Sequence, residues 1–343
     1  MRFLKLIFIV FGVVFIISCS DKIKEHSSNQ IFIFSSSEDS LLSKLYLDDF
    51  LSKKNRFLPT EEQYYEVEWL SEQAFSDYKD RPLLILIKLK DKNAQNEDRL
   101  YDLFFKNSKE SSKIKFVDNF YSNNQSIIGI EAFDEIELNN ILFSYSDIII
   151  NKINKVLDNQ ILKKYKSIPK HDKISNYIMD KYGIDLFIDH NYQNIKEKNN
   201  ILWIGRGFPS LGDPYRWIVA REVNYLQSPK QYLSIIEETF NDYLLDSNYI
   251  DFSRFDDRST YKYEFQDNYF IGGTYIYSEI EIENYKLDTI PTAGGPFISY
   301  IFNDSEKTKS TILIGLVNNP GSEKMIYIKQ LESIFKDIKN KGK

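Results

Sequence analysis

Residues 296–317 read PFISYIFNDSEKTKSTILIGLV, two apolar runs on either side of a charged turn. PFISYIF and STILIGLV are rich in β-branched and aromatic residues and are too short for a buried helix, so they predict two strands. Pro320 and Gly321 then supply a turn, and a helix is expected from Ser322, with Ile328, Leu331, Phe335 and Ile338 along one face. Just upstream, YFIGGTYIYSEIEI (269–282) predicts another strand. Strands closed by a helix make up this end of the chain.

Working outward, NILWIGRGF and YRWIVARE predict a hairpin across the turn-forming loop PSLGDP. The segment SPKQ offers a helix start in which Ser228 caps, Pro229 takes the first helical position and Gln231 completes a capping box, with Leu233, Ile236, Phe240 and Leu244 facing inward. A helix from Asp172 is expected to end at Gly183 in a left-handed cap, before a strand IDLFID. The first half has the same rhythm: IFIFS, YYEVEWL and PLLILIKL predict strands, and KIKFVDNF with QSIIGIEAF a pair around SNNQ. A helix after IFIFS would carry Leu42, Leu45 and Phe50 near one face, EDRLYDLFFKNS would form another, and a long helix would run from Glu135 to Lys166. Each half thus reads as strands followed by a closing helix. The expected fold is α+β, largely antiparallel sheet with helices packed on one side, in an N-terminal half (31–168) and a C-terminal half (169–343).

The first 30 residues follow a different logic. Arg2 and Lys5 form a positive start, Leu6 to Ile17 is an unbroken apolar or glycine run, and Ser18 precedes Cys19, the only cysteine among 343 residues. That is signal-peptide anatomy, and the run is too short for a membrane span of about 20 residues. The IISC stretch resembles the bacterial lipobox, which implies cleavage after residue 18 and diacylation of Cys19. With more than one acyl chain, such an anchor holds on the bilayer. A single cysteine has no intramolecular disulfide partner, so the body must fold without one. Residues 19–30 would then form a flexible tether. Ser20 lacks the inner-membrane retention signal that Asp gives at that position in proteobacteria, so the outer membrane is expected, with its face undecided.

With 44 basic against 50 acidic side chains, a formal net charge of −6, the chain is a poor match for nucleic acid or anionic lipid surfaces. Its 24 Tyr and 25 Phe accompany an abundance of Lys, Asn and Ile, which reads as codon bias rather than as sugar binding.

The stretches FLPTEEQYYEVEWLSEQAF, RPLLILIKL and TAGGPFISYIFND, with ILIGLVNNPGSEKMIYIKQLESIF, resemble the ordered landmarks of a family of Bacteroidota lipoproteins known only as a domain of unknown function. Relatives of that kind usually have Met where Ala293 stands. The family carries no established activity, so the resemblance implies no catalytic residue.

The chemical search yields few candidates. His26, His171 and His190 lie apart without metal-ligand spacing, no G-x-S-x-G elbow occurs, and no glycine-rich stretch has the spacing of a phosphate loop, so no metal, cofactor or catalytic set is assigned. Two features stand out. On the predicted hairpin, Trp203, Arg206, Arg216, Trp217 and Arg221 form a possible binding surface, although core tryptophans under solvent-facing arginines would give the same pattern. At Gly294, Gly295 and Pro296, the chain forms either a backbone binding loop or a strand entry in which a glycine takes positive φ. Two functions follow: a non-catalytic envelope lipoprotein that binds a protein or glycan partner, or a polymer hydrolase with paired carboxylates; adjacent acids such as Asp256 and Asp257 are not assigned to it, because spacing in sequence says nothing of the separation such a dyad needs.

Overall fold

The computed structural model describes residues 29–52, 58, 62–90, 99–105, 113–240, 252–255, 261–265, 268–283, 286–304 and 306–340. Cys19, His26, Leu244, Asp256 and Asp257 lie outside them. The fold is α+β, as expected, and among the described residues nine of twelve strand pairings are antiparallel. The three parallel pairings all belong to the N-terminal sheet.

That sheet contains β1 (Gln30–Ser35), β2 (Glu66–Ser71), β3 (Leu83–Leu89), β4 (Ile114–Asp118) and β5 (Ser126–Ala132), in the order β2-β1-β3-β5-β4. β1 runs parallel to β2 and β3, and β3 parallel to β5; only β4 is antiparallel. Parallel strands need covering on both faces, which explains the unbroken apolar run LLILI in β3. Ile31, Ile33, Ile85 and Ile128 face a layer of three helices, α1 (Ser37–Leu51), α4 (Glu135–Ser144) and α5 (Ser146–Lys166). Phe32, Phe34, Leu84 and Ile127 face Phe75 of α2 (Phe75–Tyr78) and Tyr101 and Phe105 of α3 (Arg99–Phe105).

Two helices depart from the sequence expectation. α1 turns Asp39, Ser43, Leu47 and Leu51 inward, leaving Leu42 and Leu45 exposed. The buried Asp39 carboxylate accepts the Leu89 N–H at 3.0 Å, a partner that a periodicity argument cannot supply. The expected helix over 135–166 divides at Tyr145, whose φ of −115° leaves the helical region. Ser144, Tyr145 and Ser146 are indifferent helix formers, so the break costs little.

The second sheet contains β7 (Gln193–Lys198), β8 (Ile201–Phe208), β9 (Asp213–Asn224), β10 (Phe252–Phe255), β11 (Tyr261–Phe265), β12 (Asn268–Glu283), β13 (Lys286–Asn303) and β14 (Lys309–Asn318). It is antiparallel throughout, in the order β10-β12-β13-β14-β9-β8-β7 with β11 also on β12. One face, including Ile204, Ile218, Ile298 and Leu313, packs on α6 (Asp172–Tyr182) and α8 (Met325–Lys336). The other, including Val219, Phe297, Ile301 and Ile314, packs on Tyr232, Ile236 and Phe240 at α7 (Pro229–Thr239). Helices therefore lie on both faces of this sheet too, because its central strands are apolar on both. The Ser228–Gln231 capping box and the left-handed Gly183 cap, φ 69°, occur as expected. IDLFID contributes only β6 (Ile184–Asp185), paired with β15 (Lys339–Asn340).

The halves interlock through α8. Its start is capped from the N-terminal half: Glu62 accepts the N–H of Lys324 at 2.8 Å and of Met325 at 2.7 Å, which moves the helix start past the expected Ser322. On the next turn Lys329 donates to the Tyr64 carbonyl at 2.7 Å and lies 3.7 Å from the centre of the Tyr64 ring. Burial pushes its ammonium down to about 7, against the pull of Asp158 and Glu332. Lys336 bridges Asp158 of α5 at 3.2 Å and Glu332 at 2.8 Å.

Candidate functional site

The hairpin β8–β9 separates its side chains by strand alternation. Arg206 and Arg216 sit directly opposite each other and point into the core on the α8 side. Arg206 donates to Asp189 at 2.7 Å and to Asp213 at 3.3 Å. Arg216 also pairs with Asp213, donates to Gln330 of α8 at 2.8 Å, and lies over the Tyr327 ring at 5.1 Å. Asp189 is wholly buried, its second oxygen taken by the Asn191 N–H, and Arg216 is 4% exposed. Tyr165 lies alongside, its hydroxyl accepting the Asp189 N–H at 3.0 Å. Burial alone would lower the Arg206 guanidinium, but Asp189 and Asp213 outweigh it and hold it above its ordinary value. Tyr192, completely buried beside these charges, has its phenol pushed up by desolvation. Such a network braces the hairpin against α8 and the 184–192 segment. Both carboxylates are committed to guanidinium groups, which unfits them for acid–base work.

The opposite face carries the aromatic side chains. Tyr215 stacks on Trp217 with centroids 5.6 Å apart and planes 17° from parallel, and Trp203 meets Trp217 edge-on at 5.9 Å. Gly205 makes this row possible: a Cβ there would lie 2.5 Å from the Trp217 ring and 2.6 Å from Ile195. Tyr215 is 41% exposed, and Ile195 beside the row, with Phe208 and Leu211 at the hairpin end, is more exposed still. Further along β9, Arg221 is drawn away, donating to Thr239 of α7 at 2.8 Å and to Glu238 at 2.5 Å.

Of the residues the sequence singles out, the structure brings Trp203 with Trp217, and Arg206 with Arg216, on opposite faces. The solvent-facing arginines of the alternative pattern are corrected: all three are paired and largely buried, with side-chain exposures of 10%, 5% and 16%. Tyr215, Ile195, Asp189 and Tyr192 escaped sequence reasoning. Tyr215 was legible, standing two residues before Trp217 on a strand; Asp189 was not, since its partner is 17 residues away.

Gly294, Gly295 and Pro296 lie elsewhere, inside β13 rather than at a strand entry. Neither glycine is left-handed, which corrects the expected positive φ. Gly295 is required by close approach: a Cβ would fall 2.0 Å from the Val317 carbonyl oxygen, which accepts the buried Tyr275 hydroxyl at 3.0 Å. Pro296 is tolerated because the β13–β14 ladder begins only at Phe297. These residues form a packed crossing of strands, not a loop open to ligand. His171 caps α6, its Nδ1 accepting the Ile174 N–H at 3.4 Å. Among the described residues, no group of three His, Cys, Asp or Glu could hold a metal ion, and no helix is long and apolar enough to cross a membrane.

The strands and helices that carry both faces of the hairpin fall within one recognised unit. A DUF4837 domain, a domain of unknown function, is found over residues 171–337. The DUF4837 domain takes in the whole Arg–Asp network and the aromatic row, while the N-terminal sheet lies outside it. No curated protein matches the chain. Among solved structures it is similar to human STARD10, at 7% identity over 49% of this chain and 79% of that one with a TM-score of 0.23. It is also similar to the human StarD13 lipid transfer and protein localization domain, at 11% identity over 49% of this chain and 96% of that one with a TM-score of 0.22. At such scores the likeness carries no argument about fold or ligand.

Proposed function

We propose that this is a lipid-anchored protein of the bacterial cell envelope, held at the outer membrane through Cys19, which binds a partner protein through the aromatic face of β8–β9 and performs no catalysis. The observation that carries the binding role is the row Tyr215–Trp217–Trp203, in which two tryptophans partly buried on the core hold an exposed Tyr215 beside the exposed Ile195 and Phe208. Aromatic side chains offer large contact area at small entropic cost and recur at the energetic centres of protein interfaces. The rim of the row favours protein over glycan. Ile195 and Leu211 add aliphatic surface, which buries well against protein but gives a sugar ring nothing to stack on. Behind the row, the Arg206–Asp189 pair fixes the strands that carry it, so the surface is preformed. The anchor rests on the signal anatomy and on the lipobox-like IISC ending at Cys19.

Two measurements test this reading separately. Labelling cells with a fatty-acid probe should mark the native chain and not Cys19→Ala; label retained in the variant contradicts the anchor. Detergent-solubilised native protein should retain a co-purifying envelope protein that Tyr215→Ala with Trp217→Ala loses. Equal recovery by the double variant contradicts the binding surface, whatever the lipid result.

A further inference from the structure

The N-terminal sheet reverses its strand order around β1: β2 lies on one side of it and β3 returns to the other, all three parallel. In open parallel sheets, ligands settle at the carboxyl ends of the strands beside such a reversal. At that edge Lys88 of β3 stands opposite Glu131 of β5, each one residue from its strand end, and antiparallel β4 brings Lys115 to the same edge. Strand alternation turns all three side chains to the face covered by α2 and α3, along with Leu84, Leu86 and Ile127. Tyr101 of α3 meets them there, its ring centre 5.8 Å from the Lys88 ammonium and 5.9 Å from that of Lys115. Tyr101 is 2% exposed, and its buried hydroxyl has no hydrogen-bond partner. A phenol shut away in this manner destabilises the fold unless something accepts its proton.

The charges around Tyr101 do not balance. Lys88 is held by Asp102 at 2.7 Å, and one oxygen of Glu131 is held by Lys90 at 3.0 Å. Lys115, 9% exposed, has only the other oxygen of Glu131, at 3.8 Å and beyond hydrogen-bond distance. Three ammonium groups thus share two carboxylates. Two further acids at this edge, Glu72 and Asp39, are each engaged by a backbone N–H, of Leu100 and Leu89, and burial raises both carboxyls toward the neutral form. We propose that Lys115 and Tyr101 hold an oxyanion, the carboxylate or phosphate group of a small molecule, at the carboxyl edge of the N-terminal sheet. The two groups left over are both donors, and an oxyanion can accept from an ammonium and a phenol at once. An anion offsets the extra charge, whereas a cation would add to it. Burial pushes the Tyr101 phenol up, so its hydroxyl stays a donor at neutral pH. Lys90 and Asp102, both more open than Tyr101, line the approach from solvent.

The inference does not depend on the lipid anchor or on the aromatic row. Its test titrates the full chain in detergent with inorganic phosphate and, separately, with acetate, at an ionic strength held constant by sodium chloride. Calorimetry should show saturable binding of at least one, and the tighter of the two tells phosphate from carboxylate. Lys115→Met and Tyr101→Phe should each weaken that binding about tenfold or more, the effect of losing a hydrogen bond to a charged group. Tyr101→Phe should leave the melting temperature of the ligand-free chain unchanged or raise it, since its hydroxyl has no bond to lose. Lys152→Met is the control: that lysine pairs with Asp118 at the other end of β4, and the variant should bind as the native chain does. Failure of both anions to saturate, native affinity in Lys115→Met or Tyr101→Phe, or an equal loss in Lys152→Met overturns the inference. So does ethylammonium binding more tightly than either anion, which would show that the acids of the edge govern recognition.

Discussion

The two sheets of this molecule bury different things. The N-terminal sheet is mainly parallel, and its covered strands present little but Ile, Leu and Phe on either face, with helix side chains such as Asp39 supplying the buried polar contacts. The C-terminal sheet is antiparallel and places two guanidinium groups from its own strands into the core, paired with Asp189 and Asp213. Surfaces differ too: apolar helix faces stay open on the first half, and on the second a strand face with partly buried tryptophans leaves Tyr215 and Ile195 exposed. A parallel sheet must be covered on both sides and so confines exposed apolar residues to its helices. An antiparallel edge can leave one strand face to a partner, provided that something rigid holds the strands from behind.

The largest effect should come from removing that support. Asp189→Ala leaves Arg206 buried without its closest counter-charge and should cost about 3–5 kcal/mol, a fall in melting temperature on the order of 10 °C. Removing Glu137, whose partner Lys113 is half exposed on the N-terminal half, should lower the melting temperature far less by its solvent-screened ion pair. Comparable losses from the two would erase the distinction between the halves.

Next in size is Gly295. A Cβ alone meets the Val317 carbonyl, so Gly295→Ala should do nearly the harm of Gly295→Val, about 1–3 kcal/mol by thermal or denaturant unfolding. A penalty confined to valine would point to backbone conformation instead of close approach.

Lys329 sharpens the comparison at the seam between the halves. Its folded ammonium titrates near 7, whereas an unfolded lysine titrates near 10.4. Between those values the unfolded chain binds the extra proton, so stability should rise with pH from about 7 to about 10, at no more than ~1.4 kcal/mol per pH unit. Denaturant midpoints measured across that window should climb for the native chain and flatten for Lys329→Met. A native profile that falls would show that Lys329 stays charged in the fold.

The smallest effect belongs to the exposed helix face. Leu45→Asp should leave the stability of the isolated chain within about 0.5 kcal/mol, since the side chain is open to water; a loss above 2 kcal/mol would place it in a core.

Sequence patterns revealed much of this architecture where local chemistry determines the outcome. The Ser228–Gln231 capping box, the Gly183 cap and the β8–β9 hairpin all depend on residues within a few positions of one another. What stayed hidden depends on distant partners. Leu42 and Leu45 looked like a core stripe because apolar spacing carries no sign of which face is covered; it took Asp39, bonded to Leu89 fifty residues on, to turn α1 over. Gly295 was recognisable as a constrained glycine, but the constraint comes from Val317 on the neighbouring strand. At the candidate site, alternation correctly put Trp203 and Arg206 on opposite faces, yet could not tell which face was wet. The arginines went inward because Asp189 and Asp213 waited there.

The most direct test of the partner-binding face places a photoreactive amino acid at Tyr215 in living cells, with Ile195 as a second position in the same patch and Glu237, on the exposed side of α7, as the control. Tyr215 and Ile195 should cross-link to the same envelope protein, and Glu237 should not. Irradiation that yields no protein adduct at Tyr215 or Ile195, or the same adduct at Glu237, would contradict a partner seated on the Tyr215–Trp217 row.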